Sequence, residues 1–154
     1  MTTLRKFSLL DLFKFNNVNL DILTETYNIA FYGRYLAQWP EYCRVAESST
    51  GVIQGYVLGK VEGDKENPAA KNWHGHVTAV TVAPAFRKQG LATTLMKHLE
   101  DTTAVVHNGW FVDLFVRASN QVAIGMYQKM GYSIYRSIKD YYSGPDPENA
   151  HGEE

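Results

Sequence analysis

The sequence predicts a mixed α/β layer fold in one domain. Three observations carry this. Alternating β-branched stretches such as His74–Val82 give way to apolar residues at helical spacing such as Leu91, Leu95 and Leu99. The segments run in the order β-α-α-β-β-β-α-β-α-β, which is the pattern of helices layered on a sheet. The length, 154 residues, suits a single hydrophobic core.

The elements follow in order. Leu4–Phe7 reads as a short edge strand. Leu9, Leu12, Phe13 and Val18 predict a helix from about Ser8, with Ser8 or Asp11 near its start. Asn16–Tyr27 reads as a loop with a brief helical turn. Phe31, Tyr32, Tyr35, Leu36 and Trp39 predict a helix over Ile29–Trp39, which Pro40 ends. Arg44–Glu47 and Val52–Val61 form a hairpin through Ser48-Ser49-Thr50-Gly51. Polar Gly63–Asn72 is a surface loop, His74–Val82 a strand and Gly90–Val105 a helix. Trp110–Val116 is an apolar run broken only by Asp113, as in a strand covered on both faces. Ser119–Met130 is a helix with Ser119 as candidate N-cap and Gly131 as candidate C′ residue. Tyr132–Tyr142 is the last strand. The domain is thus expected over 1–143, and residues 144–154, rich in Pro, Gly and acid, as a disordered acidic tail.

Composition narrows the function. There are 15 basic and 16 acidic side chains, and a net charge of −1 gives no reason to expect direct nucleic-acid binding. Cys43 is the only cysteine, so no internal disulfide forms. No signal-length apolar stretch follows Arg5 and Lys6, and no run approaches a membrane span. The expectation is a cytoplasmic protein with no membrane contact.

The richest local signal is the strand-to-helix turn Val82-Ala83-Pro84-Ala85-Phe86-Arg87-Lys88-Gln89-Gly90-Leu91-Ala92-Thr93. A helix N-terminus presents unpaired N–H groups, and its dipole favours anions. Gly90 permits positive φ and close approach of a ligand to the backbone. Arg87 and Lys88 add charge, and Thr93 and Thr94 add hydroxyls. A diphosphate would fit; an ordinary solvated turn with two surface cations has the same composition. Neither a Walker A loop nor a Rossmann fingerprint is present.

Arg87-x-x-Gly90-x-Ala92 after a strand, with Asn120…Ala123…Tyr127-x-x-x-Gly131-Tyr132 downstream, resembles the two motifs of the GNAT superfamily of N-acetyltransferases. The resemblance implies a mixed, mostly antiparallel central sheet, splayed at the acetyl-CoA site, with helices on both faces. It places acetyl-CoA along Val80, Thr81 and Val82 and against Arg87, Lys88, Gln89, Gly90, Leu91, Ala92 and Thr93, with Asn120 and Tyr127 completing the site.

Asn120 and Tyr127 are seven residues apart and share one helix face, with small Ala123 between them. Asn120 suits either a bond to the cofactor or a simple helix cap. A phenol near pKa ~10 can protonate a departing thiolate near ~8.5 at modest cost. The resemblance assigns Tyr127 this general-acid role; the alternative is an aromatic packed on the sheet.

Longer strings are more specific. Phe15–Asp21 with Leu23–Tyr27, Tyr35–Tyr42, Trp73–Ala79, Val112–Arg117 with Ser119–Ala123, and Tyr141-Tyr142 resemble the catalytic subunits of NatB-type protein N-terminal acetyltransferases, over roughly Met1 to Ser143. The resemblance implies acetylation of N-terminal Met in nascent chains beginning Met-Asp, Met-Glu, Met-Asn or Met-Gln. It also implies a heterodimer with a large helical-repeat auxiliary subunit, which brings the enzyme to the ribosome. An α-amine suits weak base catalysis, since at pKa ~7.7–8.0 on the order of a tenth is neutral near pH 7. Glu25 and His74 are candidate proton acceptors; Glu25 also suits a cap on the following helix. Tyr27, Phe115 and one of Tyr141 and Tyr142 are expected to line a Met pocket. His74, then Thr78, are the candidate donors to the second residue, and period-two spacing puts His74, His76 and Thr78 on one strand face. A metal is not expected, because His74 and His76 have no third Cys or His ligand at suitable spacing. The competing functions are an acetyltransferase acting on Lys or a small amine, and a non-catalytic acyl-CoA-binding subunit.

Overall fold

The computed structural model describes residues 1–21, 24–142 and 148–154. Among the described residues seven strands form one sheet in the order β1-β2-β3-β4-β5-β7-β6. They are β1 (Thr2–Lys6), β2 (Arg44–Ser48), β3 (Ile53–Glu62), β4 (His74–Val82), β5 (Val112–Arg117), β6 (Ile134–Tyr142) and β7 (Glu148–Glu153). The helices are α1 (Asn16–Asn19), α2 (Ile29–Gln38), α3 (Leu91–Val105) and α4 (Gln121–Lys129).

The sheet separates two cores. On one face Leu91, Leu95, Met96 and Leu99 of α3 and Ile124 and Tyr127 of α4 pack on Val77, Leu114 and Val116. On the other, Phe7, Phe15, Val18, Tyr32 and Tyr35 pack on Val45, Tyr56 and Leu58. The expected helix from Ser8 divides into a 3-10 turn (Leu9–Phe13) and α1. Ser8 and Asp11 form a capping box at its start: Leu10 N–H donates to Ser8 Oγ at 3.3 Å, and Ser8 N–H to Asp11 at 2.8 Å. Asn120, rather than Ser119, caps α4. Gly131 takes φ 101° after it, a conformation that glycine adopts without Cβ strain.

Among the pairings described, only β4 and β5 run parallel. They pair over just three positions, Gly75↔Val112, His76↔Asp113 and Val77↔Leu114, and then part. The sheet is therefore open beyond Thr78 and Phe115, beside the N-terminal ends of α3 and α4. This is the expected splay.

The expected tail needs correction. Residues 144–147 and the boundary at 143 lie outside the described residues, but Glu148–Glu153 is a strand inserted between β5 and β6. Both its edges are hydrogen-bonded, and Ala150 is fully buried. A strand held on both sides does not require alternating apolar side chains, so acidic composition misdirects the reading. Glu153 is fully buried, and its carboxylate oxygens have no hydrogen-bond partner among the described residues. Burial raises its pKa above the ordinary carboxyl range.

Candidate active site

The turn after β4 leaves a helix N-terminus uncapped. Pro84–Phe86 is a 3-10 turn, Arg87 is extended, and Lys88 and Gly90 take φ of 61° and 77°. Gly90 is the N-cap of α3 and supplies no side chain, so the first-turn N–H groups of the helix receive no side-chain cap. Thr94 turns its hydroxyl back onto Gly90 C=O at 3.0 Å. A Cβ on Gly90 would meet no atom within 4 Å, so the space over the turn is open. The turn thus presents uncapped backbone N–H groups to open space. Arg87 behaves differently from the expectation. Its Nε donates to Val82 C=O at 3.0 Å and its Nη2 to Asp21 at 2.8 Å.

Asn120 adopts the capping alternative, accepting from Ala123 N–H at 3.2 Å. Tyr127 lies across the splay on α4, 6% exposed and edge-on to Tyr132 at 6.0 Å. Burial, helped by the charges of Glu153 and Tyr142, drives its pKa well above the ordinary phenol value. The group therefore carries its proton at any working pH.

On the opposite face of the splay the expected peptide residues converge. Tyr27 stacks on Phe31 at 4.1 Å, and burial first, then the Glu25 charge, pushes its pKa up to about 12. Phe115 touches Tyr141 at 5.0 Å and His76 at 5.6 Å. The β6–β7 register shifts between Ile138 and Tyr142. Strict alternation would send Tyr141 and Tyr142 to opposite faces; instead the two rings meet at 5.0 Å. Tyr142 also carries the Arg117 guanidinium over its ring at 4.2 Å. Arg117 is ion-paired with Glu25, tying the loop before α2 to the end of β5. Thr78 donates to the Tyr35 hydroxyl at 2.7 Å.

His74 stands apart. It lies four residues before Thr78, about 13 Å along the strand at ~3.3 Å per residue. Its ring stacks on Phe111 at 4.5 Å. Nδ1 meets Asn72 C=O at 2.6 Å, a contact that requires an N–H there. Nε2 faces Glu62 and Asp113, each at 3.4 Å. Desolvation lowers its pKa, but Asp113, the Asn72 carbonyl and the Glu62 charge together raise it above the ordinary value. This environment favours the imidazolium, a donor. Asp113 also accepts from His76 Nδ1 at 2.7 Å and from Tyr135 at 3.1 Å. Burial opposes its ionisation, yet the two histidines hold its pKa far below the usual carboxylate range. Glu62, His76 and Asp113 could present ligand atoms within 4.8 Å of one another. They are already engaged, however: His76 with Asp113, and Glu62 with Lys60 at 2.8 Å. The cluster reads as a self-neutralising network.

Sequence reasoning did not assign Asp113, His76, Arg117 or Asp21. Asp113 carried a usable signal, since an acid in a strand covered on both faces needs a partner.

Residues 11–132 match the model of the Acetyltransferase (GNAT) family. The chain is 56% identical over 146 residues to the N-terminal acetyltransferase B complex catalytic subunit NAA20 of Arabidopsis thaliana, covering 95% of this chain and 81% of that one. It is similar to the crystal structure of Chaetomium thermophilum Naa20 in complex with a bisubstrate analogue, with TM-score 0.88, 43% identity, and coverage of 98% of this chain and 84% of that one. It is likewise similar to a solved NatB acetyltransferase complex bound to CoA and MES, with TM-score 0.86, 38% identity, and coverage of 98% and 96%.

Proposed function

The chain belongs to the acetyltransferase (GNAT) family, and from that premise we propose that it is the catalytic subunit of a NatB-type N-terminal acetyltransferase. Its substrates are chains beginning Met-Asp, Met-Glu, Met-Asn or Met-Gln, and acetyl-CoA is the acetyl donor. The observation that carries the reading is the splay between β4 and β5, with an uncapped helix N-terminus and Tyr127 on one side and an aromatic groove on the other.

The backbone N–H groups of Leu91–Thr93, with Lys88, hold the diphosphate. Tyr27, Phe115 and Tyr141 enclose the substrate Met side chain. Its α-amine attacks the thioester carbonyl, the C–S bond breaks, and the Tyr127 phenol gives its proton to the departing sulfur. The proton shed by the amine passes through water to Glu25. His76, fixed by Asp113 beside Phe115, is the residue placed to meet the acid or amide of the second residue; His74, whose ring nitrogens meet Asn72 and the Glu62–Asp113 pair, supports it from behind.

Peptide profiling tests this. Turnover is expected with Met-Asp, Met-Glu, Met-Asn and Met-Gln peptides, and little with Met-Ser. Activity confined to N-terminally blocked Lys peptides would sink the reading.

The auxiliary subunit docks on the N-terminal segment. Leu10, Phe13, Leu20 and Ile29 are 68–83% exposed there, more apolar surface than the core requires. The same segment leads into the loop carrying Glu25 and Tyr27, so docking also steadies one groove wall. Burying each such side chain contributes about 1.5–3 kcal/mol. Replacing Leu10 and Phe13 together by Ser is therefore expected to weaken the heterodimer by about 100-fold or more in co-purification and titration. Unchanged association would place the interface elsewhere. Ribosome contact comes through that subunit, and the site of action is the cytoplasm.

A further inference from the structure

We propose that Asp21 and Arg87, with Thr24 and Thr81, clamp the peptide-binding loop to the end of β4, making Asp21 a positioning residue for the peptide. The inference rests on the reading of the groove as a peptide site.

The loop between α1 and α2 supplies Glu25 and Tyr27 but has no regular structure of its own in the residues described. A loop that presents functional groups needs fixed anchors. Its ends are fixed: Asn19 accepts from Tyr56 at 2.8 Å, and Asn28 caps α2 through Phe31 N–H at 2.8 Å. Glu25 reaches across to Arg117 on β5. On the β4 side two contacts complete the fastening. Thr24 and Thr81 hydroxyls meet at 2.9 Å, and Asp21 accepts from Arg87 at 2.8 Å.

Arg87 is suited to this more than to the diphosphate. A guanidinium is a rigid planar fork. Once Nε is fixed on Val82 C=O, the direction of Nη2 is fixed as well, and it points at Asp21. The Asp21 side chain is only 15% exposed, against 43% for Arg87, so this carboxylate has given up much of its water and relies on its cation. The diphosphate cradle, by contrast, consists of backbone N–H groups whose directions α3 and Gly90 set. Loss of the Asp21–Arg87 pair therefore displaces the loop and leaves the cradle in place.

The test is Asp21→Asn, which keeps the shape and removes the charge. The Met-Asp peptide KM is expected to rise about tenfold, while kcat changes less than about threefold and the acetyl-CoA Kd less than about twofold. Arg87→Gln should show the same peptide defect, and the double variant should be no worse than either single one, as for two halves of one contact. Amide hydrogen exchange over Thr24–Tyr27 should accelerate in both single variants with no substrate present. Unchanged exchange in Asp21→Asn overturns the clamp, as does a loss that falls on acetyl-CoA affinity. Faster exchange in a protein whose wild type acetylates none of the NatB-type peptides supports the clamp and overturns the functional reading instead.

Discussion

Replacing Tyr127 by Phe is expected to lower kcat by about 10²–10⁴-fold and to leave the acetyl-CoA KM unchanged, the loss typical of a missing general acid. The substitution removes one oxygen and keeps the ring that packs edge-on against Tyr132 at 6.0 Å. A residue serving only the core would tolerate it with little change in turnover. Burial holds the phenol protonated, so it can serve as a donor in every catalytic cycle. For unperturbed groups, transfer from a phenol near ~10 to a thiolate near ~8.5 is uphill by about 2 kcal/mol. Burial that penalises the phenolate penalises the thiolate too, so the mismatch need not grow as the site closes over both. Steady-state kinetics with a Met-Asp peptide decides the matter: an undiminished kcat removes Tyr127 from the chemistry.

The half of the site proposed for the cofactor was legible because its signals are local. Gly90 announces a positive φ, Leu91, Leu95 and Leu99 announce the helix it opens, and Tyr127 lies at fixed helical spacing from Asn120. The half proposed for the peptide was legible only in its residue types. Glu25 and Arg117 are 92 positions apart, and Arg87 and Asp21 are 66 apart. No periodicity relates such pairs; the sheet topology does. Arg87 shows the limit: a cation beside a glycine at a helix start invites a phosphate role, and nothing local announces that its guanidinium meets Val82 C=O and Asp21. β7 shows the same limit in the fold. Asn149, His151 and Gly152 are poor strand formers, and they form a strand because β5 and β6 each offer an edge. Asp113 was the opposite case: one acid in an otherwise apolar run marks its own importance, although not its partners.

Those partners give Asp113→Asn the second large effect. The carboxylate is buried on β5 and serves three donors: His76, Tyr135 and, when protonated, His74. Breaking a buried ionic cluster from one side costs about 3 kcal/mol. For a chain of this size that lowers Tm by roughly 6–12 °C. The pH dependence distinguishes lost charge from lost packing. The folded pKa of His74 is raised, so its contribution is full below the ordinary histidine value of ~6.5 and disappears as pH rises through the folded value. Asp113 is depressed, so its contribution is full above ~3.9 and disappears as pH falls through its folded value. Wild-type Tm should therefore be highest between about pH 4 and 6.5 and decline on both sides, and Asp113→Asn should flatten both limbs. Glu62 and Lys60 also face this cluster from β3, and their 2.8 Å pair remains intact in the variant, so residual pH dependence belongs to them. Parallel Tm–pH curves for the two proteins would show that Asp113 fills space and sets no charge.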